Sequence, residues 1–205
     1  MTLFQPTFFS PIAQYVGIAK SSKILFEVED NFQKQTYRNR CYIQTANGKY
    51  LLNVPVQHAK GLKIKTKDVK IDYKDSWNIH FIKTLKTAYN SSPFFEFYID
   101  DLLPIILKKN SYLLDLNLSC HHFVMEALQL EIPSSNTLEY EKNLEANFDF
   151  RVLANVSNNE IFNFDKYTQV FDQNNGFIPN LSILDLIFME GPSAESYLIK
   201  QNIQF

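Results

Sequence analysis

The chain has 205 residues, 45% of them hydrophobic and 20% charged, which is apolar enough to bury a core and excludes an intrinsically disordered chain. Five glycines stand against eighteen phenylalanines and eleven tyrosines, so collagen-like and Gly-rich linker architectures are excluded too. The net charge of −2 argues against nucleic acid as a partner held by overall charge, and no apolar run approaches the roughly 20 residues of a membrane-spanning helix.

In chain order, Met1 to Gln5 is a short apolar run stopped by Pro6, which predicts a first strand. Ser10 and Pro11 then predict a helix start, because serine caps and proline has no N–H to lose in a first turn. Lys23 to Glu29 reads as a second strand. Arg40–Thr45 and Lys49–Val56 flank Ala46-Asn47-Gly48, a hairpin signal. Lys67 to Tyr73 alternates apolar and polar residues, as a further edge strand would. Trp77, Phe81, Leu85 and Ala88 recur at helical spacing, with Asp75 or Ser76 as cap. A second helical stretch opens at Phe94, and Pro104 is expected to kink or restart it. Cys120, Phe123, Val124, Ala127 and Leu128 mark a third helix. Asn143–Leu153 and Leu181–Met189 read as helices, the latter stopped by Gly191-Pro192, with ordered loop between them. With no linker, repeat or low-complexity tract, one domain over residues 1–205 is expected. Its class is α/β: a mixed β-sheet, a Rossmann-like strand–helix–strand start and a helical C-terminal portion.

Four constellations bear on chemistry. Gln5-Pro6 with Phe8-Phe9-Ser10-Pro11 sits between strand one and helix one, where an open α/β sheet and a helix N-terminus can cradle an anion; a proline-shaped turn plugged by phenylalanines is the alternative. Lys34-Gln-Thr-Tyr-Arg-Asn-Arg40 packs three cations and Asn39 into seven residues of a slightly acidic chain, suiting a phosphate or carboxylate; the alternative is a solvated strand edge. Among the histidines, His80 lies beside an apolar stripe and is the candidate for proton transfer, with Lys34 as the second catalytic candidate. Adjacent His121 and His122 point about 100° apart and read as the exposed side of a helix, while His58 lies in a loop. Finally, Asp185 on an apolar helix is either a buried hydrogen-bond hub or the partner of a cation in the basic cluster. No His-Glu-x-x-His, paired Cys-x-x-Cys, phosphate loop or Gly-x-Ser-x-Gly occurs. Cys41 and Cys120 read as free thiols, no metal site is expected, and no cofactor is identified. The start has neither a basic region nor a cleavage site for export, so a cytoplasmic protein is expected.

Gln5-Pro-Thr-Phe-Phe-Ser-Pro11, Lys34-Gln-Thr-Tyr-Arg-Asn-Arg-Cys41, Trp77-Asn-Ile-His80 with Ala88-Tyr89 and Ser92-Pro-Phe-Phe95, and Tyr167-Thr-Gln-Val-Phe171 through Asn180–Phe188 to Gly191-Pro192 occur in this order. In them the chain resembles the WbqC-like family of bacterial proteins over nearly its whole length. That resemblance implies a role in surface polysaccharide (O-antigen) synthesis, with glycine or aminoacyl transfer onto a sugar as the suggested reaction. The expected partner is a small anionic substrate, a nucleotide or nucleotide-sugar among them. Candidates for contact with it are Gln5, Pro6, Asn39 and Arg40, joined from the later motifs by Trp77, Tyr89, Tyr167, Gln169, Asn180 and Asp185. A weaker likeness, at the level of fold, is to the opening of nucleotidyl-transferase-type Rossmann domains, including the turn Asp30 to Gln33. The first turn here holds Phe8, Phe9 and Ser10 in place of their histidines. A non-catalytic nucleotide- or anion-binding module, or a nucleotidyl-transferase-like enzyme, is the alternative function.

Overall fold

Strand β1 (Thr2–Phe4) and strand β2 (Ile24–Phe26) lie parallel, with Thr2 opposite Ile24 and Phe4 opposite Phe26. Parallel neighbours need a crossover rather than a tight turn, and helix α1 (Ile12–Ala19) supplies it. These features come from a computed structural model that describes residues 1–57, 63–142, 149–156 and 162–203. β3 (Arg40–Thr45) and β4 (Gly48–Asn53) form an antiparallel hairpin in which Arg40 faces Asn53. Helices α2 (Trp77–Tyr89), α3 (Phe95–Leu107) and α4 (Leu113–Ala127) follow, and the chain then returns to β2 as β5 (Ser134–Asn136). β5 is parallel to β2, giving the order β1-β2-β5. Short α5 (Asp172–Asn175), α6 (Ile183–Glu190) and α7 (Ala194–Lys200) close the described chain.

The class is α/β with a small parallel sheet and several helices. The strands do not share one mixed sheet, however: parallel and antiparallel pairs form two separate sheets. Every residue of α1 from Ile12 to Ile18 is buried, so this helix has no solvent face and is a core element. Gly17 permits its close approach to the sheet, since a Cβ there would stand 3.1 Å from the Phe4 ring. Phe8 and Phe9, buried between β1 and α1, pack against Phe81 of α2 with ring centroids 5.2 and 5.7 Å away. The plug of phenylalanines is thus the keystone between α1 and α2.

Several predicted elements change on folding. Lys67 to Tyr73 is no strand: a 3-10 turn (Thr66–Asp68) leads into single bridges of Ile71 to Val56 and Lys70 to Tyr112. Pro104 does not restart a helix, since α3 runs through it to Leu107. α4 begins at Leu113, well before the apolar run that announced it. The helix expected over Asn143–Leu153 lies partly outside the described residues, and Arg151–Ala154 forms a 3-10 turn. Gly191-Pro192 ends α6 but opens a further turn into α7.

Ser10 does not cap α1. Its hydroxyl meets the Thr7 hydroxyl, and the first turn is capped from far along the chain instead. Ile12 N donates to Leu181 O at 2.9 Å and Ala13 N to Asn180 Oδ1 at 2.8 Å. Gly191 holds a left-handed φ of +50°, and a Cβ there would lie 2.6 Å from the Phe94 ring. Gly191→Ala is therefore expected to destabilise the protein by about 3 kcal/mol, as overpacking and left-handed strain together predict; the midpoint of urea unfolding measures it.

Candidate functional site

Just beyond the C-terminal ends of β1 and β2 lies a knot of buried polar groups. Asp30 is its centre. Gln5 Nε2 donates to Asp30 Oδ2 at 3.0 Å, Arg38 Nη2 donates to the same oxygen at 2.7 Å, and Thr66 Oγ1 donates to Oδ1 at 2.5 Å. Burial pulls the Arg38 guanidinium below its ordinary range, and the Asp30 carboxylate pulls it back up. Asn117 of α4 donates through Nδ2 to Pro6 O at 3.2 Å and to Arg38 O at 2.8 Å. Buried Glu27 accepts from Glu29 N at 2.8 Å, Asp30 N at 3.2 Å and the Thr137 hydroxyl at 3.0 Å. This knot fixes the path of the loop that returns from Asp30 to β3.

The loop and the start of the hairpin enclose a hollow of about 310 Å³ lined by Lys34, Gln35, Asn39, Arg40 and Asn53, with Phe32, Pro55 and Val56 as its apolar wall. Gln35 is held at a left-handed φ of 61°, a strained conformation for a residue with a Cβ. Asn39 donates through Nδ2 to Val54 O at 2.9 Å, while its buried Oδ1 has no partner among the described residues. Arg40 is half-buried, and its buried Nε has no hydrogen-bond partner among them either. Among the described residues no carboxylate lies within ion-pair distance of Arg40 or Lys34. A guanidinium half out of water normally finds an anion. Here the hollow is where one would sit.

Three larger hollows lack these features. One, about 380 Å³, lies over Met1, Leu3 and Leu25 and is mainly apolar. A second, about 700 Å³, runs beside His121 and the stretch Gln129 to Ser134. The third, about 510 Å³, is an open depression lined by Lys166, Tyr167 and Asp172. Among the described residues no group of three or more His, Cys, Asp and Glu is placed to hold a metal ion.

A profile of the WbqC-like protein family matches residues 5–163, a span that begins just after β1 and includes α1, the basic loop, the hairpin and α2 to α4. The chain belongs to the WbqC-like protein family. A relative in Mycobacterium tuberculosis, the uncharacterized protein Rv1507c, is 27% identical over 201 residues, covering 84% of this chain and 87% of that protein. No solved structure gives a significant match.

In this WbqC-like chain the sequence-predicted site residues fall mainly into three groups, with Asn180, Trp77 and His80 outside them. Lys34, Asn39 and Arg40 share the hollow. Gln5 and Pro6 lie buried behind it in the Asp30 knot, joined to Asn39 through Arg38. Tyr89, Tyr167, Gln169 and Asp185 form a second, closed cluster. Tyr89 OH donates to Asp185 Oδ1 at 2.7 Å, and Tyr167 OH and Gln169 Nε2 donate to Oδ2 at 2.5 and 3.1 Å. Burial pushes the Asp185 carboxyl above its ordinary value, and the three donors only partly offset that. Of the two readings of Asp185, the structure shows the hydrogen-bond hub: the side chains bonded to it are neutral, and no cation of the basic loop is among them. Asn180 caps α1, Trp77 is buried against Phe8 and Tyr73, and neither lines the hollow.

His80 lies apart from all three. It projects from the exposed side of α2, with Nε2 3.3 Å from the Tyr50 hydroxyl of β4. The α1 mouth offers no anion cradle either, because its leading N–H groups already donate to Leu181 and Asn180. His121 also departs from expectation. It is half-buried, with Nδ1 3.2 Å from the Tyr15 hydroxyl, and burial lowers its imidazolium from 6.5 to about 4. His122 is the exposed one, 3.2 Å from Glu126, and His58 lies outside the described residues. Burial likewise pushes both thiols up, so neither Cys41 nor Cys120 is an activated nucleophile.

Sequence reasoning missed Asp30, Thr66 and Asn117 as the scaffold of the site, and Gln35 and Asn53 as its lining. A lone Asp closing an apolar strand, eight residues before an arginine, was the available signal.

Arg38→Met strands the Asp30 carboxylate in the interior and is expected to lower stability by roughly 3–5 kcal/mol; Arg40→Met, which breaks no ion pair, should stay within about 1 kcal/mol of the parent. Chemical unfolding of the two variants side by side checks the contrast. For His121 the folded protein holds the neutral ring, so the unfolded chain takes up the proton first. Its contribution to stability is complete above pH 6.5 and falls away as the pH drops toward about 4. Unfolding midpoints across this interval should decline less steeply in His121→Gln than in the parent.

Proposed function

We propose that the Lys34–Asn39–Arg40 hollow binds a small molecule through a phosphate or carboxylate group. We further propose that the chain serves group transfer onto a sugar in building bacterial surface polysaccharide, as the family resemblance implies. The observation that carries the first part is Arg40: a half-buried guanidinium that lines the hollow and, among the described residues, has no carboxylate within ion-pair distance. A ligand carboxylate or phosphate supplies the counter-charge Arg40 lacks, and the planar fork donates to it edge-on. Lys34 is exposed and free to swing, so it adds a point charge over the same group and stabilises charge developing on a leaving group. The site also lies beyond the carboxyl ends of parallel strands, where open α/β sheets take their ligands. That position accords with the Rossmann-like reading of β1–α1–β2 and with a nucleotide-bearing substrate.

A second reading, a non-catalytic anion-binding module, is favoured by one observation. Among the described residues Lys34 and Arg40 are the only ionisable groups lining the hollow, with no nucleophile and base side by side. His80 has no part in either reading of the hollow.

Calorimetric titration with inorganic phosphate, glycine, ATP and sugar nucleotides tests the binding. At least one should bind saturably, and Arg40→Met should weaken it tenfold or more, since a hydrogen bond to a charged group contributes about 1.5–3 kcal/mol. Affinity unchanged in Arg40→Met, or no saturable binding of any of the four, would overturn the proposal. Turnover that disappears in Lys34→Met while binding persists supports transfer chemistry; a parent that binds but turns nothing over supports the module.

A further inference from the structure

The hollow does not stand alone in its charge. Phe32, one of its walls, donates its N–H to Ile64 O at 2.9 Å, and Asn31 bridges Lys65. Lys63 and Lys65 flank Ile64 and are exposed, whereas Ile64 and Thr66 turn inward. On another wall, Val56 bridges Ile71, and Gln57 N donates to Lys70 O at 2.9 Å. Lys70 is exposed as well. Adjacent strands run about 5 Å apart, so lysine-bearing segments border two walls of the hollow at a distance a lysine side chain spans. Residues 29–40 and 63–70 together carry seven cations against three carboxylates, in a chain whose net charge is −2.

Those carboxylates are largely spoken for. Asp30 belongs to Arg38 at 2.7 Å, and Glu29 alone serves both Lys65 and Lys67 at 2.6 Å each. Among the described residues Lys34, Arg40, Lys63 and Lys70 have no ion-pair partner. A single carboxylate or monophosphate on Arg40 would leave the row beside it uncompensated. A ligand with two linked phosphates spans both.

We propose that the ligand of this site is a diphosphate ester, one phosphate held by Arg40 and Lys34 in the hollow and the other by Lys63 and Lys70 on its rim. The inference rests on the reading of the hollow as an anion site and narrows its substrate class. Attraction between exposed charges is screened by salt, so the rim lysines act most strongly at low ionic strength.

The test compares inorganic phosphate and AMP with pyrophosphate and ADP by calorimetric titration on the full chain, with chelator present so that no metal bridges the phosphates. Pyrophosphate and ADP should bind at least tenfold more tightly than phosphate and AMP, with a steeper decline in salt. In the double variant Lys63→Gln/Lys70→Gln, which disturbs no ion pair, that advantage should shrink to less than threefold while phosphate and AMP bind as to the parent. Arg40→Met should weaken all four. If phosphate and AMP bind and the diphosphates bind no tighter, the diphosphate assignment fails and the anion site stands. If the advantage survives the double variant, the placement of the second phosphate is overturned. If none of the four binds, the anion site itself falls, and the diphosphate falls with it.

Discussion

A carboxylate taken out of water must be met by donors or it destabilises the fold, and Asp30 meets three at once. Those donors come from the end of β1, from the returning loop and from the 3-10 turn beyond the hairpin. Satisfying one side chain therefore fixes where three stretches of chain cross. Arg38 is the decisive partner, since it alone brings a full charge. Drawing Arg38 inward forces the loop between Phe32 and Tyr37 to arch outward. Lys34 and Gln35 then stand on the arch, Asn39 and Arg40 follow at its foot, and the hollow is the space beneath. The site is a by-product of how a buried charge is neutralised.

Asp185 shows the other solution to the same problem. Its oxygens are met by two tyrosine hydroxyls and a glutamine amide, all neutral, which ties α2 and α6 to the segment around Tyr167. Burial raises the Asp185 carboxyl, and the three neutral donors only partly offset that. The contrast separates the molecule's polar interior into two parts. One is closed on itself and holds helices together. The other adjoins the surface and shapes the basic loop.

Elements whose pattern is local were legible in the sequence. The stripe Trp77, Phe81, Leu85 and Ala88 became the buried face of α2, and Asn47-Gly48 sits at the turn of the hairpin. β5 was not legible, because Ser134–Asn136 is exposed and polar and becomes a strand only through backbone pairing with β2. The cap of α1 comes from Asn180, 167 residues away, and no local rule points to it. The same division runs through the candidate site. Lys34, Asn39 and Arg40 are close in sequence and stay together in space, and Gln5, proposed from its place at the strand end, lies just behind them in the Asp30 knot, whereas His80 and Asp185 are separated from them by packing. His80 stands apart for a plain reason: it is next to the stripe in sequence but turned about 100° from Phe81, and so faces water.

The two arginines of the basic loop make the final argument. Arg38 and Arg40 are two residues apart and chemically identical, yet one is sealed against Asp30 and the other ends beside a hollow with its Nε buried and unpartnered. Were both structural, the second would need an acid of its own, and the position facing it across the hairpin would be the place for one. That position is Asn53, a neutral side chain. An arginine used merely to keep a strand edge soluble would extend its whole head into water. Arg40 does neither, and Asn39 beside it likewise withholds Oδ1 from the protein's own donors. Arg40, on a loop strained at Gln35 and bordered by lysines without an ion-pair partner among the described residues, is completed most simply by an anion that arrives from solution, while Asn39 Oδ1, an acceptor, suits a hydroxyl or N–H of the same ligand.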